Sequence, residues 1–110
     1  METLTIFTPA YNRAKFLPRA FEALKRQTLK DFIWMIIDDG STDNTEEVVQ
    51  EFLKDTNAGF KTEYIKKENG GLHTGYNKAI ELAQTELMVC VDSDDYMPDD
   101  AVEKILNLWK

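Results

Sequence analysis

The sequence predicts an α/β protein: a parallel sheet of four strands in the spatial order 3-2-1-4, with helices on both faces. Three observations carry this. Strand-like and helix-like segments alternate without interruption along the 110 residues, an order that implies parallel strands joined by right-handed crossovers. Two strand-like segments, Phe32 to Ile37 and Leu87 to Val91, are apolar on both faces, as strands covered by helices on each side must be. Polar clusters follow the first, second and fourth strands, so parallel packing brings all three to the carboxyl edge, where open α/β sheets bind ligands.

Leu4 to Thr8 reads as the first strand, and Pro9 is expected to end its pairing. Leu17, Ala20, Phe21 and Leu24 then share one face of a helix. After the second strand, Thr42 or Asp43 is placed to cap a second helix, with Glu46 completing a capping box and Val48, Val49, Phe52 and Leu53 facing the core. Phe60 to Lys66 alternates in polarity, which suits an edge strand and puts it at the outside of the order 3-2-1-4. A third helix is expected after Gly70-Gly71, burying Leu72, Tyr76, Ala79, Ile80 and Ala83. A last helix begins near Asp99 or Asp100 and buries Val102, Ile105, Leu106 and Trp109. No repeat or low-complexity linker divides residues 1–110, so they read as one domain.

Composition limits the partners. With 43% hydrophobic and 30% charged residues the chain is of ordinary globular type, and its formal charge of −7 argues against a nucleic-acid backbone as partner. A phosphate-bearing ligand would need a divalent cation to offset that charge locally. Cys90, the single cysteine, lies in an apolar segment and reads as an inert core thiol. The first residues lack the basic start of a signal peptide, and Phe32 to Ile37, the longest apolar run, is too short to cross a bilayer. The expected compartment is the cytoplasm, with any membrane attachment coming from regions outside these residues.

In Asp92-Ser93-Asp94-Asp95, extended backbone would turn Asp92 and Asp94 to one side. Two carboxylates so placed repel unless a cation joins them, and oxygen ligands suit Mg²⁺ or Mn²⁺; the alternative is a simple turn after a strand. Asp38-Asp39-Gly40-Ser41-Thr42-Asp43 is either a turn with a helix cap or a set of acceptors for a nucleobase N–H or ribose hydroxyls. Tyr11 either stacks beside a base or is a partly buried loop aromatic. Glu68-Asn69-Gly70-Gly71-Leu72-His73 offers backbone N–H groups to a phosphate or is ordinary loop sequence, His73 reads as a surface residue, and Arg13 is near enough to the first loop to assist with phosphate charge. Neither GxGxxG nor GxxxxGK[ST] is present, which excludes the simplest dinucleotide and P-loop readings.

Taken in order, Thr8-Pro9-Ala10-Tyr11-Asn12-Arg13, Asp38-Asp39-Gly40-Ser41-Thr42-Asp43-Asn44-Thr45, Glu68-Asn69-Gly70-Gly71-Leu72 and Asp92-Ser93-Asp94-Asp95 resemble the amino-terminal half of family 2 glycosyltransferases. The resemblance covers nearly the whole chain and implies a GT-A fold, a Rossmann-like sheet truncated here after the last helix. It implies transfer of a sugar from a UDP- or GDP-linked donor to a saccharide or lipid acceptor, with inversion, assisted by Mg²⁺ or Mn²⁺. By position, Thr8, Pro9 and Tyr11 would line the nucleoside pocket and Asp39 would face the base with Asp38 close by. Asp92 would lie near ribose and metal, and Asp94 would be the principal metal ligand. The base that deprotonates the acceptor is expected beyond Lys110; Asp95, Asp99 and Asp100 qualify by type alone, and the last two are better explained as helix caps.

Two other functions compete. One is a non-catalytic nucleotide-binding module. The other is a phosphatase of the haloacid dehalogenase type, in which the Asp-x-Asp pair follows the first strand, whereas here it follows the fourth. The open edge beyond the fourth strand also predicts self-association.

Overall fold

The computed structural model describes residues 4–55, 57–68, 85, 87–92 and 97–109. In chain order these form β1 (Leu4–Ala10), α1 (Leu17–Lys25), β2 (Phe32–Asp39), α2 (Thr45–Leu53), β3 (Lys61–Lys67), β4 (Leu87–Cys90) and α3 (Ala101–Trp109). The strands make one parallel sheet in the order β3-β2-β1-β4, as the alternation of elements predicts. The helix expected after Gly70-Gly71 lies outside the described residues.

The apolar runs are explained by burial on both sides of the sheet. On one face Leu4, Ile6, Phe32, Trp34 and Ile36 pack against Leu17, Phe21 and Leu24 of α1, Val49 and Phe52 of α2, and Val102 and Leu106 of α3. The opposite face carries Phe7, Met35 and Ile37, each at most 2% exposed, with Ile65, Met88 and the half-buried Cys90 against them. Phe21 stacks on Phe52 at 4.3 Å between ring centroids, and fully buried Trp34 lies 5.7 Å from Phe52. Aromatic area therefore joins α1 and α2 to the middle of the sheet. Among the described residues, no helix is long and apolar enough to cross a membrane.

Three local expectations are corrected. Pro9 does not end β1, which continues to Ala10 with Pro9 opposite Ile37. The reason lies in the ladder: Phe7 accepts from Val91 N–H, so Pro9, two residues on, points its missing donor toward β4 beyond the last pair, Phe7 with Cys90. The second helix starts at Thr45 after Asn44, and no capping box forms; Glu46 instead pairs with Lys66 of β3 at 2.7 Å. That helix turns Thr45, Val49 and Phe52 inward, at i, i+4 and i+7, with Val48 partly buried beside them, and this stripe leaves Leu53 at its margin, 41% exposed. The last helix buries Val102 and Leu106 as expected.

Candidate functional site

Parallel strands put all their carboxyl ends on one edge, and register decides which residues meet there. Ala10 lies beside Asp38, while the Val91 N–H bonds to Phe7 O at 3.0 Å, so residues 8–10 run between Asp38-Asp39 on one side and Asp92 on the other. With neighbouring strands about 4.8 Å apart, β2 and β4 are separated by roughly 10 Å across β1. The carboxylates thus occupy two sides of a shallow edge rather than one cluster. Among the described residues, no group of three His, Cys, Asp or Glu is placed to hold a metal ion.

The loops after β1 and β2 are stitched together by short polar side chains. Asn12 has φ +55°, a left-handed conformation that Asn tolerates better than most residues, and this turns its side chain toward the second loop. Its Oδ1 accepts from the N–H groups of Thr42 (2.8 Å) and Asp43 (3.1 Å), and its own N–H donates to Ser41 Oγ at 2.9 Å. Ala14 N–H donates to Asp43 Oδ2 at 3.3 Å, and Arg13 N–H to Thr45 Oγ1 at 3.2 Å. Tyr11, at the tip of this double loop, is 44% exposed. Burial works against the Asp43 charge, yet bonds from the Thr45 hydroxyl, the Thr45 N–H and the Ala14 N–H hold its carboxyl below the ordinary 3.8.

Asp38 and Asp39 are adjacent in a strand and so point to opposite faces. Asp38 is 1% exposed, and both of its oxygens are engaged: Oδ1 by the Ser41 N–H at 2.9 Å and Oδ2 by the Tyr64 hydroxyl at 2.5 Å. Burial first, and this bond to a carboxylate second, push the Tyr64 hydroxyl pKa up. Asp39 lies on the other face and pairs with Lys67, its register partner on β3; their side chains are 14% and 16% exposed. A cleft of about 340 Å³ beside α2, lined by Asp38, Asp43, Glu46, Glu47 and Lys66 among others, is too acidic to receive a diphosphate.

Thr8 sits on the helical face of β1, 1% exposed, where its Oγ1 accepts the Trp34 indole N–H at 2.8 Å. Pro9 is half-buried and Asp92 exposed. Thr8, Trp34, Asp92 and Met97 line one residual void of about 10 Å³, so the ends of β1 and β4 are in close packing. Asp94, together with Ser93 and Asp95, lies outside the described residues.

Residues 5–110 match the sequence profile described as Glycosyl transferase family 2. The chain belongs to this family. It is 35% identical over 107 residues to a chondroitin synthase of Escherichia coli, covering 97% of the chain and 15% of that protein. It is 36% identical over 103 residues to a hyaluronan synthase of Pasteurella multocida, covering 94% of the chain and 10% of that protein. The putative glycosyltransferase EpsH of Bacillus subtilis is 32% identical over 108 residues, with 96% of this chain and 30% of EpsH covered. The chain thus spans at most about a third of these relatives. Among solved structures, S. aureus TarS 1-349 in complex with UDP superposes with TM-score 0.84 at 24% identity, covering 96% of this chain and 31% of that one, a likeness of fold. The same TarS segment in complex with UDP-GlcNAc gives TM-score 0.80 at 26% identity, with 96% and 30% covered.

Four residues whose polar groups are bonded in or beside the sheet escape the motif reading. Trp34 and Tyr64 look like core and edge aromatics, and the proton each donates is visible only once strands are in register. Lys67 carries a weak signal, because it ends β3 as Asp39 ends β2 and equal strand ends meet in a parallel sheet. Gln27 carries a better one: it continues the spacing of Leu17, Phe21 and Leu24, so a polar amide occupies a position that the helical stripe turns inward.

Proposed function

We propose that this chain forms the donor half-site of a glycosyltransferase that moves a sugar from a nucleoside diphosphate to an acceptor hydroxyl, with inversion at the anomeric carbon. The observation that carries the reading is the arrangement across β1. Exposed Tyr11 and the largely buried Asp39 lie on the β2 side and exposed Asp92 on the β4 side, roughly 10 Å apart across β1, a spacing that suits a ligand with an aromatic base at one end and a charged diphosphate at the other. The UDP-GlcNAc complex of TarS, at 26% identity, supports the choice of donor class.

In this reading Tyr11 stacks on the base and Asp39 accepts from a base N–H. Asp38 and Thr8 act behind the pocket: Asp38 fixes the turn at Ser41, and Thr8 fixes Trp34. Asp92 and Asp94 hold Mg²⁺ or Mn²⁺; carboxylate oxygen is the donor type that these hard ions prefer, and Asp92 is exposed at the edge as a ligand would be. When bound, the cation neutralises charge developing on the leaving diphosphate. The base that takes the acceptor proton is assigned to the half of the domain that follows in the family. Self-association through β4 belongs to the same proposal, since among the described residues no further strand lies beside it. A monomer at all concentrations in sedimentation equilibrium overturns that part.

Calorimetric titration with UDP and GDP, with and without Mn²⁺, tests the site. Binding of one nucleotide that strengthens with Mn²⁺ is expected, and Asp94→Ala should remove the strengthening while metal-free binding persists. Undiminished Mn²⁺ dependence in that variant sinks the role of Asp94. Absence of nucleotide binding by the wild type sinks the whole reading.

A further inference from the structure

β2 and β3 end level with each other, and their last register pair is Asp39 with Lys67. Two residues earlier on the same face the pair is Ile37 with Ile65, which belong to the apolar cluster of Phe7 and Met35. At the carboxyl edge this face therefore changes from apolar contact to an ion pair, with side chains 14% and 16% exposed. The neighbouring pair, Lys66 with Glu46, lies in water by comparison, at 55% and 49%. Lys67 Nζ donates both to Asp39 Oδ1 and to Glu68 O, the latter at 2.7 Å, so the ammonium ties the carboxylate to the chain as it leaves β3.

Sheet packing does not require this pair. Apolar side chains would continue the face of Ile37 and Ile65, and replacing a buried ion pair by apolar residues is often neutral or stabilising. What the pair adds is a carboxylate of fixed direction at the edge where open α/β sheets bind ligands. Ala10 is the register partner of Asp38, and the next residues on the two chains are Tyr11 and Asp39. An exposed aromatic ring, a carboxylate and an ammonium thus follow one another across the ends of β1, β2 and β3, about 4.8 Å from strand to strand. A carboxylate offers about four acceptor sites, so Asp39 can accept an N–H from a planar ligand lying on Tyr11 while it holds Lys67.

We infer that Lys67 is a positioning residue for base recognition: it directs the Asp39 carboxylate toward the N–H of a base stacked on Tyr11. The inference rests on the donor reading proposed above and adds to it a residue that lies in none of the four sequence motifs. It predicts that Lys67 matters for nucleotide affinity only while Asp39 is present.

A double-mutant cycle tests this dependence. Lys67→Met and Lys67→Gln remove the charge at similar length, Lys67→Arg keeps it, and Asp39→Ala removes the carboxylate; each neutral substitution is also made in the Asp39→Ala background. Calorimetry gives the affinities for UDP and GDP, with the same Mn²⁺ concentration throughout so that any cation contribution is common to all variants, and circular dichroism reports the fold. For the nucleotide that the wild type binds, Asp39→Ala and each neutral substitution alone should weaken binding roughly tenfold, the scale of one charge-assisted hydrogen bond, while Lys67→Arg stays within about threefold of wild type. In the Asp39→Ala background the neutral substitutions should change affinity by less than about twofold. An equal loss in both backgrounds overturns the inference. So does unchanged or higher affinity in a folded neutral variant, an arginine variant as weak as the neutral ones, or loss of fold in both neutral variants, which assigns Lys67 to stability alone. If the wild type binds neither nucleotide, or Asp39→Ala binds as well as wild type, the role of Asp39 in the donor reading fails and the inference with it. A loss with Asp39→Ala that neither neutral substitution of Lys67 reproduces sinks the inference alone.

Discussion

Replacing Thr8 by valine separates a residue that contacts the ligand from one that supports the pocket. Valine matches threonine in shape, so no cavity opens in β1; only the hydroxyl that accepts the Trp34 indole proton at 2.8 Å is lost. Both residues are at most 1% exposed, which leaves the indole N–H buried without that acceptor. An unsatisfied buried donor costs about 1–3 kcal/mol. For 110 residues the unfolding entropy is roughly 0.23 kcal/mol/K, so Tm should fall by about 4–13 °C. Calorimetric melting measures the fall, and Trp34→Phe provides the control: in that background the donor is already gone, so Thr8→Val should cost less than about 0.5 kcal/mol. Below its melting range, Thr8→Val should bind nucleotide within about twofold of wild type. An equal cost in both backgrounds refutes the hydrogen-bond argument, and a tenfold loss of affinity in the folded variant places the hydroxyl on the ligand.

Tyr11→Ala should leave Tm nearly unchanged, since the ring is 44% exposed, and should weaken nucleotide binding by about 1–3 kcal/mol if the ring stacks on the base; titration decides. Tyr64→Phe removes a hydrogen bond to the buried Asp38 carboxylate and should cost about 1.5–3 kcal/mol at neutral pH by urea denaturation. Because the folded Tyr64 pKa lies above its unfolded value near 10, this contribution is complete below about pH 10 and is lost as pH rises through the folded value; the wild type should therefore lose more stability than Tyr64→Phe in that range. Asp43→Asn turns an amide donor toward the Ala14 N–H and should destabilise at neutral pH. The folded Asp43 pKa lies below 3.8, so its contribution is present above that value and lost as pH falls through the folded one, and the gap between variant and wild type in urea melts should close in acid.

The sheet was legible because its signals are one-dimensional. Alternation of segment types gives parallel strands, two-sided apolarity marks β2 as central, and mixed polarity marks β3 as an edge. What failed is what depends on a neighbour. Whether Pro9 ends a strand depends on where β4 stops, and whether Glu46 caps α2 depends on Lys66 lying across from it. The same holds at the site. The Asp38-Asp39 pair reads as one unit, yet strand alternation sends one side chain to Tyr64 and the other to Lys67. Alternation was available in the sequence; the partners on β3 were not, because they come from a segment that reads only as an amphipathic strand.

The separation of those two aspartates has a consequence for how a donor would be gripped. On the β2 side the loops are fixed by six hydrogen bonds in which the side chains of Asn12, Ser41, Asp43 and Thr45 accept from backbone N–H groups of the two loops. On the β4 side Val91 is anchored to β1 by its N–H bond to Phe7 O at 3.0 Å. In the donor reading, a rigid base would meet the β2 side as a preorganised wall. In the same reading the diphosphate end would need a cation to offset its charge in a chain of net charge −7. Base selectivity should therefore resist substitution of any single tie on the β2 side, because the remaining bonds still hold the two loops together.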